Sequence, residues 1–429
     1  MKNKFVLFNM LILIALTASR LYSQNRNVVW VHGFTGNEEA WEHYADIFTN
    51  ERKISSLRKS YKTTLGLDTA ANQLNRSIQM HLANPTNSSN LGIGHSMGGV
   101  MIRELDRRVT PKKFGGFITL TSPNKGAPVS QSILDGQVNS AGIKAVAQLS
   151  AGPAAEFTPF PFYLTTIGSV AITVKFIADT FTDALMMYIG DSDNLLSPAT
   201  NQDLKPGSAA MNALNNYTST THKISIIAEE NSPVHWRLIG SLRGNEADWV
   251  NNMAIVREVY NVKFVYHTAM AILNPFAPSH SVNALAWKLG RDWIDDSESI
   301  WCSLIKTKQT TSYTYTVLEW FPCKPPIRSP MSINPLNIPM PCDIWVETTY
   351  TYYVTTNYPS DGLLPTYAQE LNVNPVGSPN RYTINYANHM EVRDMEHSKL
   401  PNGQPNDGTK NTLNAIFNRA DWFNTEENP

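Results

Sequence analysis

Residues Gly94-His95-Ser96-Met97-Gly98 constrain this chain more than any other short stretch. A serine between two glycines at this spacing suits a sharp, strained turn from a strand into a helix. The glycines remove side chains that would collide across the turn, and Gly99 adds a further small residue for close packing. By itself the pattern also fits an ordinary glycine-rich turn. Its flanks separate the two readings, because residues 91–93 read as a short strand and residues 97–108 as a helix.

The surroundings repeat that rhythm. Strands are expected at 28–31, 53–61 and 117–120, and helices at 38–50 and 68–83. Trp41, Tyr44 and Phe48 share one face of the first helix, and Asp68 is placed to cap the second. Strands alternating with helices predict an α/β fold, a mostly parallel sheet covered by helices on both faces. Residues 223–228 re-enter the pattern as a buried strand, and the apolar stretch 382–386 lies near its end.

A length of 429 residues is long for one domain, so a core carrying a large insertion is expected. The division reads as an export signal at 1–23, core at 24–130, a helical cap or lid at 131–202, core at 203–230, an insertion at 231–357, and core at 358–429. Residues 160–189 are apolar but include Lys175, Asp179, Thr182 and Asp183, which suits amphipathic cap helices rather than a membrane span. Such a cap either buries an acyl chain or fills a core. Residues 248–305 read as helical. The Thr- and Tyr-rich runs 310–321 and 343–356 read as an antiparallel pair around a proline-dense stretch. Cys323 and Cys342 stand at the inner ends of those runs and are expected to form a bridge, leaving Cys302. Residues 401–407 are the stretch biased enough toward loop formers to be disordered.

Several function classes are excluded. The formal charge of −1 gives no reason to expect nucleic acid. No phosphate-binding or dinucleotide loop occurs, so no cofactor is expected, and the cysteine spacing does not suggest a metal such as zinc. Lys2 and Lys4 precede an apolar run at 5–18 followed by small residues, the pattern of a cleaved signal that sends a protein outside the cell or into the periplasm.

Longer motifs carry a resemblance. Trp30-Val31-His32-Gly33-Phe34-Thr35-Gly36, Gly94 to Gly99, and Thr121-Ser122-Pro123-Asn124-Lys125-Gly126-Ala127-Pro128 together resemble the lipases and esterases of the α/β-hydrolase superfamily. Asn124 stands where many relatives carry histidine, and Asp203 to Ser208 with Leu214-Asn215 resembles a further lipase-like segment. The resemblance implies an α/β-hydrolase fold, Ser96 as nucleophile, and an oxyanion hole formed by the backbone N–H groups of Phe34 and Met97. His32 is read as a turn residue with no proton-transfer role.

A nucleophile of this kind needs an acid and a histidine later in the chain. His389 is the candidate base and His397 its rival. Asp361, in Ser360-Asp361-Gly362-Leu363-Leu364-Pro365, is similar to the family's acid loop. Its rivals are Glu229 and Glu230, which directly follow a strand, and Asp193, which comes too early in the order. The resulting expectation is a serine hydrolase acting on small-molecule or lipid esters, with lipid-interface contact through the cap and no dedicated protein partner. A peptidase, thioesterase or acyltransferase would use the same groups, and a non-catalytic binding protein is the alternative of another class.

Overall fold

The computed structural model describes residues 26–86, 88–156, 197–230, 236–238, 246–321, 344–371, 380–395, 398–400 and 402–425. The export signal, the whole apolar 160–189 region, Asp193, His397, Cys323 and Cys342 lie outside them.

Six strands among the described residues form one sheet in the order β2-β1-β3-β4-β5-β8. They are β1 (Asn27–Val31), β2 (Ser55–Arg58), β3 (Leu91–His95), β4 (Gly116–Leu120), β5 (His222–Glu229) and β8 (Arg381–Asn385). Every neighbouring pair is parallel. The chain runs from β1 outward to β2 and then crosses back to β3 on the other side of β1. That reversal opens a crevice beyond the carboxyl ends of β1 and β3, where open α/β sheets place their ligands.

Alternation along the strands supplies both faces. Val28 and Trp30 join one apolar cluster with α1 (Glu42–Arg52), whose Tyr44 and Phe48 are buried alongside Trp41 just before it. Val29 and Val31 face the opposite cluster, with α2 (Leu67–His81) and α3 (Met97–Arg108). On that face β3 carries glycine, which lets α3 approach closely. A Cβ on Gly92 would lie 3.2 Å from Ile102, and one on Gly94 would lie 2.4 Å from the backbone of Gly98 and Gly99.

Three expectations change at element ends. The second strand is shorter than 53–61, because Tyr61 leaves the sheet and donates its hydroxyl to the His32 carbonyl (2.6 Å). Asp68 does not cap α2: Gly66 occupies that position, and Asp203 Oδ2 accepts from the Leu67 N–H (2.8 Å). Asp68 instead pairs with Arg108 (2.6 Å). The described part of 401–407 is structured rather than disordered, since Pro405 bridges Lys399 and the buried Asn406 donates to the carbonyls of Asn385 (3.3 Å) and Tyr386 (3.1 Å).

After α4 (Pro128–Leu134), α5 (Gln137–Glu156) packs against the insertion helices. Following α6 (Pro198–Leu204) and α7 (Ala209–Asn216), the region expected to be helical, 248–305, is two helices, α8 (Glu246–Leu273) and α9 (Pro278–Leu304). Proline cannot continue a helix, and Pro275 and Pro278 enforce the break. A third apolar cluster joins α5, α8 and α9 through Leu149, Tyr260, Trp287 and Trp293. Gly152 admits the Trp287 ring, since a Cβ there would come within 2.7 Å. No helix among the described residues is long and apolar enough to cross a membrane.

The expected antiparallel pair is β6 (Lys308–Phe321) with β7 (Ile344–Asn357), a compact unit of its own within 308–358. Cross-strand register stacks Tyr313 on Tyr352 and Tyr315 on Tyr350 on one face, while Thr310–Thr355 and Thr316–Thr349 hydroxyl pairs form on the other. The chain closes on the main sheet with α10 (Gly408–Phe417), which buries Leu413, Ile416 and Phe417.

Candidate active site

Ser96 sits between β3 and α3 at φ 54° and ψ −129°. A non-glycine residue there costs about 1–3 kcal/mol and persists only where its surroundings over-determine it. They do so here. The Ser96 N–H donates to the Leu120 carbonyl (3.0 Å), and the Ser96 carbonyl accepts from Gly99 (3.1 Å). A Cβ on Gly98 would lie 2.3 Å from the Val31 carbonyl oxygen, so only glycine permits this approach of helix to strand.

The turn after β1 lies against the elbow. A Cβ on Gly33 would stand 2.8 Å from Ser96 Cβ, which makes the two backbones direct neighbours. His32 is buried and braces this turn. Its Nδ1 donates to the Gly33 carbonyl (2.9 Å), its Nε2 accepts from the Tyr61 N–H (3.3 Å), and its ring stacks on Tyr61. That arrangement needs the neutral imidazole, and burial lowers its proton affinity accordingly. The Phe34 N–H donates to no acceptor among the described residues. Met97 is the first residue of α3, where a backbone N–H lacks an intrahelical partner.

Asp361 and His389 come together. His389 Nδ1 lies 2.7 Å from Asp361 Oδ2, and the His389 N–H donates to the Asp361 carbonyl (2.7 Å). A carboxylate only accepts, so this contact puts the proton on Nδ1 and leaves Nε2 with its lone pair. The other carboxylate oxygen accepts from Leu363 (2.9 Å) and Leu364 (2.7 Å), and Asp361 is fully buried. His389 is fixed from behind by Asn388, whose N–H donates to Glu391 Oε2 (3.0 Å) while its Oδ1 accepts from the Glu391 N–H (3.1 Å).

The rival acids lie elsewhere. Glu229 contributes its carbonyl to the Ala387 N–H (3.3 Å). The Glu230 carboxylate pairs with Arg237 (3.2 Å), which also holds Glu391 (2.7 Å). Glu230 matters through its backbone, because its N–H donates to the Ser360 carbonyl (2.7 Å). The insertion therefore leaves the sheet and returns at one point, and Asp361 reaches the carboxyl end of β5 as if it directly followed that strand.

Three supporting residues escaped the sequence reading. His95 Nε2 donates to the His389 carbonyl (2.8 Å), and the two rings lie 4.8 Å apart, which sets His389 beside the elbow. Burial first, then the nearby His389 and Arg393, drive the proton affinity of His95 well below the usual range. The Gln369 side chain accepts from the Ala228 N–H (2.9 Å) and donates to the carbonyls of Ala228 (3.2 Å) and Leu364 (2.9 Å), tying β5 to the acid loop. Trp301 of α9 donates to the Gly362 carbonyl (2.6 Å). No local pattern marks these long-range partners.

The remaining motifs are braces. Asn124 is buried and donates to Thr119 Oγ1 (3.1 Å) and the Gln369 carbonyl (2.6 Å). Arg103, pushed down to about 10 by burial, donates to the Asn124 carbonyl (2.7 Å) and to Asn215 Oδ1 (2.8 Å). Among the described residues no group of three or more His, Cys, Asp or Glu side chains is arranged to hold a metal ion.

Residues 23–147, which include the β1 turn and the elbow, match the family model described as "Putative serine esterase (DUF676)". No curated protein matches the chain. Among solved structures, the chain is similar to the phospholipase PlaB from Legionella pneumophila, at 15% identity over 48% of this chain and TM-score 0.30. It spans 40% of that phospholipase's length. It is also similar to an esterase from Exiguobacterium antarcticum, at 15% identity over 47% of this chain and 73% of that one, TM-score 0.29. An extracellular α/β-hydrolase from a Paenibacillus species matches at 13% identity over 47% of this chain and 76% of that one, TM-score 0.26. The parallel sheet, the elbow and the family match together identify the fold as that of the α/β-hydrolase superfamily, with the lipase- and esterase-like turn and elbow.

Proposed function

We propose that this chain is a secreted hydrolase of carboxylic esters that works through an acyl-enzyme on Ser96. The observation that carries the reading is the buried His389–Asp361 contact at 2.7 Å, beside a serine held at positive φ. In this reading Ser96 Oγ attacks the ester carbonyl carbon while His389 Nε2 takes its proton. Asp361 keeps the imidazole in that tautomer and stabilises the imidazolium. The N–H groups of Phe34 and Met97 receive the oxyanion, and each such donor is worth about 2.7–4 kcal/mol to the transition state. His389 then returns its proton to the departing alcohol. Water, deprotonated by the same nitrogen, releases the acid and restores Ser96. The basic, then apolar, N-terminal run at 2–18 supports export.

Hydrolysis of short- and long-chain p-nitrophenyl esters tests the reading. Ser96→Ala abolishes turnover, Asp361→Asn lowers kcat by about 10⁴-fold through the wrong tautomer, and Glu230→Gln retains it. Equal losses from Glu230→Gln and Asp361→Asn would move the acid to Glu230. No turnover of any ester by the wild type would move the substrate class to amides or thioesters, or support the binding-protein reading.

A further inference from the structure

The paired ends of α8 and α9 carry an unusual run. Residues 264–287, 24 in all, contain no Asp, Glu, Lys or Arg, and they are bounded by Lys263 on α8 and Lys288 on α9. Ten of these residues belong to each helix, up to Leu273 on one and from Pro278 on the other. At 1.5 Å per residue each arm is about 15 Å long, half of a hydrocarbon core about 30 Å thick. The turn between them is apolar and bare: Ile272, Leu273 and Phe276 are 75%, 78% and 94% exposed. Val265, Val282 and Leu285 extend the exposed apolar surface down both arms. A contiguous patch of this kind on a folded protein marks an interaction site.

Its charge distribution selects the partner. The two imidazoles within the run, His267 and His280, face each other with Nδ1 atoms 3.1 Å apart, one nitrogen donating and the other accepting. At the base of the arms stands a cationic collar. Lys263 lies over the Trp287 ring, Arg291 lies over the Phe264 ring, and Lys288 and Arg291 both pair with Asp292. Among the described residues Lys288 and Arg291 share the one carboxylate of Asp292, which leaves this level of α9 positive just where an uncharged arm would give way to headgroups. Tyr266, half-exposed at the same level, suits that boundary.

We propose that the α8–α9 tip is a lipid-docking element that enters one leaflet of a phospholipid surface and sets its basic collar against anionic headgroups. The inference does not depend on the ester-hydrolase reading. It places lipid contact in the insertion, rather than in the 160–189 region.

Co-sedimentation of the full chain tests it, with vesicles of phosphatidylcholine alone or mixed with phosphatidylglycerol. The wild type pellets with the mixed vesicles. The double variant Leu273→Asp/Phe276→Asp loses about tenfold or more of that binding. Lys288→Gln weakens it by about fivefold. Ile143→Asp, at an exposed apolar site on α5, leaves it unchanged, and unchanged thermal melts confirm that the variants fold. Wild type that stays in the supernatant with both vesicles would overturn the proposal, as would equal pelleting of the double variant. Self-association abolished by the double variant, with no vesicle binding, would overturn it in favour of contact between copies of this chain.

Discussion

At Ser96 the positive φ is held by hydrogen bonds to Leu120 and Gly99 and by glycines that leave no room for any other residue. Two buried histidines beside it, His95 and His32, are held neutral, and this makes stability depend on pH. In the unfolded chain each binds a proton near its ordinary value of 6.5, whereas in the fold each binds it only at lower pH. Between those limits the unfolded chain holds more protons, so stability falls as pH drops below about 6.5 and is insensitive to these groups above it. Each contributes a slope of at most about 1.4 kcal/mol per pH unit. His95→Gln is therefore expected to flatten the loss of stability between about pH 7 and pH 5, measured by urea denaturation. An unchanged slope would show that His95 is not held neutral. As candidates, Ser96 is read from its short motif, Asp361 from the resemblance of its loop, and His389 from its place after the last strand. Gln369 was not legible, because it acts on Ala228, 141 positions away, through geometry that only the fold creates.

Among elements, the helices and strands of the core were readable where apolar periodicity was strong, as in the face of Trp41, Tyr44 and Phe48. Ends were less so. Asp68 satisfied the local rule for a cap, yet Asp203 reached the same N–H group from a distant segment, a tertiary contact overriding a local preference. The helical reading of 248–305 holds, and two prolines mark the break between its two helices. α9 also steadies the acid loop through Trp301. Trp301→Phe removes the donor to Gly362 while keeping most of the packing, and a lost bond of this kind costs about 1 kcal/mol. The variant is expected to unfold at lower urea and to show a reduced kcat for p-nitrophenyl esters. An unchanged kcat would mean that the acid loop holds Asp361 without help from the insertion.

For the whole molecule, the α/β core was legible because its motifs fall at strand ends along one edge of a parallel sheet. The turn after β1, the elbow after β3, Asp361 at the end of β5 and His389 after β8 all meet at the carboxyl edge. The insertion is read at 231–357 from its lack of strand-helix rhythm, and that reading says nothing of how it rejoins the sheet. The Glu230–Ser360 pairing supplies that answer: the chain departs and returns at adjacent residues, so a large insertion leaves the order of acid and base intact. The proposed nucleophile of this edge is Ser96. Labelling the wild type and His389→Ala with a fluorophosphonate, then mapping the adduct by peptide mass, tests it most directly. One adduct on Ser96 is expected in the wild type and little or none in His389→Ala; an adduct on another residue, or none in the wild type, would rule out Ser96 as the nucleophile.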